Sequence, residues 1–86
     1  MPEISRFLGI VIYMYFNDHN PPHFHVHYEK YRAIIDIKTL GITDGKLPSK
    51  VSSLVVEWGA LHKKELMKNW QNIKKTGEFS RIKPLC

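Results

Sequence analysis

The sequence has 86 residues, of which 43% are hydrophobic and 24% are charged, and this composition predicts one small globular domain with a modest core. The formal net charge of +5 favours polyanionic partners such as RNA. No apolar stretch approaches the roughly 20 residues of a membrane span, and the N-terminus lacks a signal-peptide pattern. A single cysteine, Cys86, excludes a disulfide within the chain. We therefore expect a cytoplasmic protein with no membrane association.

Three segments in the first half of the chain have the composition of β-strands. Ile10–Phe16 is rich in β-branched and aromatic residues, and His23–Tyr28 alternates strictly between polar and apolar side chains. Arg32–Lys38 follows a tight turn at Glu29–Lys30, and Leu40–Thr43 has the composition of a short fourth strand. These segments predict an antiparallel meander of three or four strands.

The second half of the chain changes to helical periodicity. Apolar residues recur at helical spacing from Ser49 to Thr76, which predicts one long helix. Pro48 suits a helix start, and Gly77 suits a helix end. Phe79–Leu85 is expected to be a short final extended segment. The sequence therefore predicts a single α+β domain over residues 1–86, with one long C-terminal helix packed on the sheet.

The second predicted strand carries a row of histidines. Because side chains alternate between the two faces of a strand, the apolar residues of His23–Tyr28 face the core and its histidines line the opposite surface. Those histidines are His23, His25 and His27. His19, just before the two prolines, is placed to fold over the start of this row. The row is the strongest candidate in the sequence for a functional site.

The predicted helix carries polar residues where packing alone would place apolar ones. His62 falls in the middle of its apolar stripe, and Glu65 and Asn69 lie at the edge of that stripe. An unpartnered buried polar group costs about 1–3 kcal/mol. These three side chains are therefore expected to hydrogen-bond to the sheet or to border an opening.

One hypothesis for the histidines is a divalent transition-metal site. A pair of histidines two residues apart on a strand is a frequent half-site for such an ion. His23 and His25 would supply this half-site, and His19, His62 or Glu65 would complete it. The spacing alone fixes no third ligand. If this hypothesis is wrong, no cofactor is indicated by the sequence.

A second hypothesis is metal-independent chemistry on RNA. Imidazole titrates near neutral pH, so His23, His25 and His19 would act as general acid and base or as phosphate contacts. The positive charge of the chain fits such a substrate. Aromatic side chains that could stack on RNA bases are those of Tyr13, Tyr15 and Tyr31.

A third hypothesis assigns no chemistry to the histidines. They would then form the polar sheet face of an interaction domain, and His62 would be a core histidine with a satisfied hydrogen bond. In this case the lysines of the helix would simply be its solvated side. Fold alone implies no activity, so this alternative stays open.

Three motifs of the chain together resemble a known family. The first is the run from Gly9 to Val26, which includes Asp-His-x-Pro-Pro-His-Phe-His-Val; the others are Gly45-x-Leu47-Pro48 and Trp58-x-x-x-His62-x-x-Glu65-Leu66-x-x-x-Trp70. They resemble the short bacterial proteins grouped as domain of unknown function 4160. The likeness extends from Pro2 to Leu85.

The resemblance implies which residues belong to the site. Family members are most alike at positions that match Asp18, His19, Pro21, Pro22, His23, Phe24, His25, His62 and Glu65. His27 is not part of that pattern. The resemblance thus implies a site in which Asp18, His62 and Glu65 support His19, His23 and His25.

The resemblance also implies a setting for the protein. The family is regarded as a companion of toxin–antitoxin systems or mobile elements, often encoded beside another small domain. We therefore predict a module that binds or cleaves RNA, with a small antitoxin-like protein as partner and a metal-independent endoribonuclease as one outcome. The sequence leaves a homo-oligomer open.

Overall fold

The computed structural model describes residues 2–86, which form a five-stranded sheet followed by two helices. The elements are β1 (Glu3–Phe7), β2 (Ile10–Tyr13), β3 (His23–Tyr28), β4 (Tyr31–Asp36), β5 (Ile42–Gly45), α1 (Ser49–Leu61) and α2 (Lys63–Thr76). All neighbouring strands are antiparallel, and their spatial order is their order in the chain. The predicted α+β class and the meander are therefore confirmed.

The sheet has five strands rather than the predicted three or four, because β1 was not foreseen. Its pairing with β2 shifts register between Glu3 and Ser5, which marks a β-bulge. A bulge breaks the strict alternation of side chains by which a strand is recognised in a sequence. As a result, Ile4 and Ser5 are adjacent in the chain and both are buried.

The predicted single helix is divided into two at His62. This residue has φ −121° and ψ 24°, outside the helical region, and it separates α1 from α2. No proline or glycine marks the position, and Leu66 continues the apolar pattern beyond it. The helical periodicity of the sequence therefore runs through the break and does not reveal it.

Beyond α2 the chain is irregular rather than a strand. It runs back along the edge of β1, where the Ile82 amide donates to the Ile4 carbonyl. The Trp58 indole N–H donates to the Lys83 carbonyl at 2.9 Å, and the Asn69 side chain exchanges two hydrogen bonds with the backbone of Ser80. The buried Asn69 thus has partners, although they lie in this C-terminal segment and not in the sheet.

The core lies between one face of the sheet, here called the inner face, and the two helices. Trp58 of α1 is fully buried there, with its ring 5.6 Å from that of Phe7 and 5.9 Å from that of Phe24. Leu66, Trp70 and other apolar residues of both helices complete this cluster. No helix among residues 2–86 is long and apolar enough to cross a membrane.

The opposite side of the sheet is here called the outer face. The strand register places its residues in rows across the sheet; for example, Tyr13 pairs with His25, and His27 pairs with Arg32. The outer face carries His23, His25, His27, Arg32, Ile34 and Tyr13, and Tyr15, just beyond β2, lies beside Tyr13 and His25. Phe24 and Val26 of β3 are fully buried on the inner face, whereas the three histidines are partly exposed. This confirms the predicted alternation of the strand.

Candidate metal centre

Three side chains meet at one end of the outer face, where the loop after β2 leads into β3. The Asp18 Oδ2 atom lies 2.9 Å from His25 Nε2 and 3.1 Å from His23 Nε2. One ligand atom from each residue lies within 4.8 Å of the other two. We call this group the Asp18 cluster, and it consists of Asp18, His23 and His25.

The local sequence explains how the three side chains converge. His23 and His25 are two residues apart on β3, so both project from the outer face. Asp18 lies in the loop between β2 and β3, and its backbone amide donates to the Tyr15 carbonyl at 3.4 Å. The peptide bond between Asn20 and Pro21 in this loop is cis. The carboxylate of Asp18 lies over the first residues of β3, beside His23 and His25.

Helix α2 holds this loop in place through two side chains. The Lys74 ammonium donates to the backbone carbonyl of Asp18 and also lies 5.2 Å from the centre of the Trp70 ring. The Trp70 ring in turn packs on the imidazole of His23, with 5.0 Å between the ring centres. The second helix therefore positions both the loop and the strand that form the cluster.

The hydrogen bonds of His23 restrict the protonation of its ring. His23 Nδ1 lies 2.8 Å from the Pro21 carbonyl oxygen, which can only accept, so Nδ1 carries the hydrogen and donates. In a neutral imidazole the other nitrogen, Nε2, then has a lone pair, and it faces the carboxylate of Asp18. Two acceptors at 3.1 Å require a proton or a cation between them.

The cluster is half-buried and open to solvent on one side. The side chains of His23, His25 and Asp18 are 14%, 18% and 21% exposed. The ring of Tyr15 meets that of His25 edge-on, with 4.3 Å between the ring centres. Burial raises the pKa of Tyr15, and the nearby Tyr13 and Asp18 raise it further, so Tyr15 is a neutral neighbour at physiological pH.

The spacing of the cluster suits a metal ion. Two ligand atoms bound to one ion at about 2.1 Å lie about 3.0 Å apart in octahedral geometry and about 3.4 Å apart in tetrahedral geometry, and a separation of about 3.0 Å is also a hydrogen-bond distance. The distances from Asp18 Oδ2 to the two histidine nitrogens are close to the octahedral value. Two histidines and one carboxylate form the ligand set of many open transition-metal sites. His23 Nδ1 donates to a backbone carbonyl, and the second ring nitrogen of a metal-binding histidine usually makes a hydrogen bond of this kind.

The structure does not bring the other predicted site residues into this group. His19 is exposed in the loop. His62 lies at the junction of the two helices, where its Nδ1 is 2.6 Å from Glu65 Oε1. His62 precedes Trp70 by eight residues, about 12 Å along a helix axis. In the part of the chain that the structure describes, the one group with metal-ligand spacing is the Asp18 cluster.

The pairing of His62 with Glu65 has a structural explanation. His62 immediately precedes α2, and Glu65 is the third residue of that helix. The His62 side chain caps no backbone amide of α2, and its contact with Glu65 joins two side chains three residues apart, which are neighbours on a helix surface. The imidazole also packs against Trp58, with 5.6 Å between the ring centres. Both contacts support the helix junction and the core.

His27 lies beside the cluster rather than in it. Its ring packs against Tyr13, with 4.6 Å between the ring centres. Burial lowers the pKa of His27, and the nearby Arg32 and His25 lower it further. His27 is therefore a largely neutral aromatic neighbour of the site.

Sequence reasoning missed the residues that hold the cluster together. Asp18 was expected only to support the histidines, yet its carboxylate contacts both of them. Trp70 and Lys74 were given no part in the site, yet the first contacts His23 of β3 and the second contacts the loop. The order Asp-His-x-Pro-Pro-His-Phe-His was the signal for Asp18, but no local pattern indicates the contacts from α2.

Comparison with known proteins agrees with the motifs that surround the cluster. Residues 9–71 match the model of the family described as Domain of unknown function (DUF4160). The chain belongs to this family. The matched region of this DUF4160 protein contains the whole Asp18 cluster, together with His62, Glu65 and Trp70. Searches of curated proteins and of solved structures gave no significant match.

Proposed function

We propose that this DUF4160 protein binds one divalent transition-metal ion through Asp18, His23 and His25. Three protein ligands leave further coordination positions for water and a substrate, as in catalytic rather than structural metal sites. An ion held in this way would polarise a bound oxygen and supply hydroxide near neutral pH. The proposed activity is therefore metal-assisted hydrolysis at the end of the outer face.

The observation that carries this proposal is the arrangement of the two Nε2 atoms around one carboxylate oxygen. The Nδ1 of His23 donates to the Pro21 carbonyl, so its Nε2 is the nitrogen that faces the Asp18 carboxylate. A packing role would not require two imidazoles to share that oxygen. A cation placed among the three atoms would satisfy all of them at once.

Metal binding by purified, chelator-stripped protein tests the proposal. Titration calorimetry with Zn²⁺ or Ni²⁺ should give about one equivalent, and Co²⁺ should give the absorption bands of a nitrogen- and oxygen-ligated ion. The variants Asp18→Asn, His23→Ala and His25→Ala should each weaken binding at least roughly 10-fold, whereas His62→Ala should bind like wild type. Stoichiometry near zero, or full binding by His25→Ala, would refute the metal site.

A metal-independent ribonuclease is the second candidate, and it rests on the same short distances. Two imidazoles and a carboxylate within hydrogen-bonding distance can exchange protons, which cleavage of RNA requires. In this alternative His23 and His25 are the general acid and base, and His19 assists from the loop. RNA cleavage that persists in excess chelator and disappears in His23→Ala would favour it over the metal centre.

The setting proposed for either activity is a cytoplasmic toxin–antitoxin module with a small antitoxin-like partner. The support is the resemblance of the motifs to a family regarded in that way, together with the net charge of +5. Growth of cells that express the protein, with and without its neighbouring gene, tests this setting. Growth inhibition that the neighbour relieves, and that His25→Ala abolishes, is the expected result. Size-exclusion chromatography of the same samples tests for a homo-oligomer or a complex.

A further inference from the structure

We propose that the outer face of the sheet binds single-stranded RNA, with bases stacked on Tyr13, Tyr15 and His27 and a phosphate held by Arg32. This inference names the substrate of the proposed metal centre and in that respect rests on the proposed function. The surface it assigns lies mainly outside the Asp18 cluster.

The aromatic side chains of the outer face form a continuous row. The Tyr13 ring lies 4.6 Å from the His27 ring on one side and 6.3 Å from the Tyr15 ring on the other, centre to centre. The two tyrosine rings are nearly parallel, with 13° between their planes. Tyr15 then meets His25, a member of the Asp18 cluster, at 4.3 Å. The row therefore leads directly to the proposed metal centre.

These rings are not needed for the core. The helices pack against the inner face, and neither tyrosine nor His27 belongs to the buried cluster there. All three side chains are partly exposed. Flat aromatic groups on an open sheet surface provide stacking platforms for unpaired bases, and each stacked base contributes enough affinity to be measured by mutation.

Arg32 supplies the positive charge that a phosphate requires. It pairs with His27 across β3 and β4, so it borders the aromatic row. Its Nη1 atom donates to the carbonyls of Glu29 and Tyr31, which fix the side chain without neutralising it. In residues 2–86 its guanidinium forms no ion pair within 4.0 Å. An exposed, oriented guanidinium of this kind suits an oxyanion.

A shallow cavity of about 210 Å³ lies between the row and strand β5. It is lined by His25, His27, Arg32, Ala33, Ile34, Asp44 and Gly45. The carboxylate of Asp44 accepts a hydrogen bond from the Gly45 amide. The cavity thus has a cation and imidazoles on one side and a single carboxylate on the other, which suits a sugar hydroxyl on the Asp44 side and a phosphate on the Arg32 side.

Duplex RNA is not expected on this surface. In a duplex the base faces are covered by neighbouring bases, so rings on a sheet cannot stack on them. A single strand exposes its base faces and bends to follow the sheet. The face should therefore prefer a single strand to a duplex of the same length.

Fluorescence anisotropy with a labelled 12-residue oligouridine strand tests the inference. Tyr15→Leu and Tyr13→Leu keep an apolar side chain on the sheet and should each weaken binding about 5- to 100-fold, which corresponds to the loss of one stacked base. Arg32→Ala should weaken binding and lower the slope of log Kd against log salt by about 0.7. Circular dichroism and thermal melting of each variant confirm that it is folded.

Matched controls lie elsewhere on the surface. Lys64→Ala removes an exposed cation from α2, and Phe79→Ala removes an exposed aromatic ring from the C-terminal segment. Both variants should bind the strand as wild type does. Equal losses in these controls and in the outer-face variants would show nonspecific charge binding and would overturn the inference, as would equal affinity for duplex RNA.

The design separates failure of this inference from failure of the metal centre. Binding is measured in chelator as well as with Zn²⁺, and with His23→Ala. RNA binding that needs Tyr15 and Arg32 in a protein that holds no metal would retain the RNA surface and refute the metal centre. Binding of one metal ion without any binding of RNA would support the metal centre and refute the RNA surface. The RNA surface would also be refuted if Tyr15 and Arg32 were needed to bind a protein and not RNA.

Discussion

Strand β3 presents two surfaces that obey different constraints. On the inner face, Phe24 and Val26 are fully buried against the helices, and burial of apolar area accounts for both residue types. On the outer face, His23 and His25 lie only partly exposed around Asp18, where packing requires no imidazole. The same alternation that builds the fold therefore presents polar groups whose arrangement the fold does not explain.

The two faces of β3 therefore require different arguments about why a given residue type is present. A residue of the inner face is identified by the volume it fills, whereas a residue of the outer face is identified by the atoms it brings together. The Asp18 cluster, with three ligand atoms within 4.8 Å of one another, belongs to the second kind. Mutations should therefore separate stability from binding along a single strand.

The largest expected effect comes from a matched pair of substitutions in β3. Phe24→Ala removes a fully buried ring that contacts Trp58 and should lower the free energy of unfolding by about 3–5 kcal/mol. His25→Ala should lower it by only about 1 kcal/mol in metal-free protein, because it removes a partly exposed side chain and its hydrogen bond to Asp18. Urea denaturation measures both values. A loss of stability in His25→Ala as large as that in Phe24→Ala would mean that the outer face is structural after all.

A smaller effect is expected at the histidine that belongs to neither face. His62→Ala removes the side-chain contact with the largely exposed Glu65 at the start of α2 and should cost at most about 1 kcal/mol. Thermal melting and metal titration should show a lower melting temperature and unchanged metal affinity. Glu65→Gln, which keeps an acceptor oxygen, is the milder control. A loss of metal affinity in His62→Ala would mean that the helix junction takes part in metal binding, and the site would then not be confined to the outer face.

The smallest expected effect concerns Glu3, at the start of edge strand β1, whose ion pairs contribute to stability. Hydrogen bonding to Arg6 lowers the pKa of Glu3, and hydrogen bonding to Arg81 and the charges of both arginines lower it further against partial desolvation. Because the pKa is lowered in the folded state, these contacts stabilise the fold fully at pH values above the ordinary pKa of 4.5. This stabilisation is lost as the pH falls through the folded-state pKa. Stability should therefore fall less steeply on acidification in Glu3→Gln than in wild type. Parallel curves from pH 7 to pH 3 would show that the contacts contribute nothing.

Local patterns predicted much of the fold. The strict alternation of residues 23–28 gave the bounds and the faces of β3, and the change to helical spacing after Pro48 gave the start of α1. The bulge in β1 and the break at His62 were missed for a common reason. Each is a one-residue change of backbone conformation, and neither requires a glycine or a proline to mark it.

The contacts within the Asp18 cluster could be predicted only where they are local in sequence. His23 and His25 follow from one strand, and Asp18 lies five residues before His23 in a loop that contains two prolines. The contact from Lys74 to the Asp18 carbonyl joins residues 56 positions apart, and no periodicity encodes it. The sequence analysis expected His62 to contact the loop histidines. In the structure the helix contacts them through Trp70 and Lys74 instead.

The meander has a consequence for the order in which the protein assembles. Every strand pairs with its neighbour in the chain, so the sheet can zip up through short loop closures, which favours rapid collapse of residues 3–45. The contacts of Trp70 and Lys74 with the loop and β3 form only after α2 has docked onto this sheet. The Asp18 cluster itself lies within residues 18–25, whereas the contacts that hold it from outside the sheet exist only when α2 is docked.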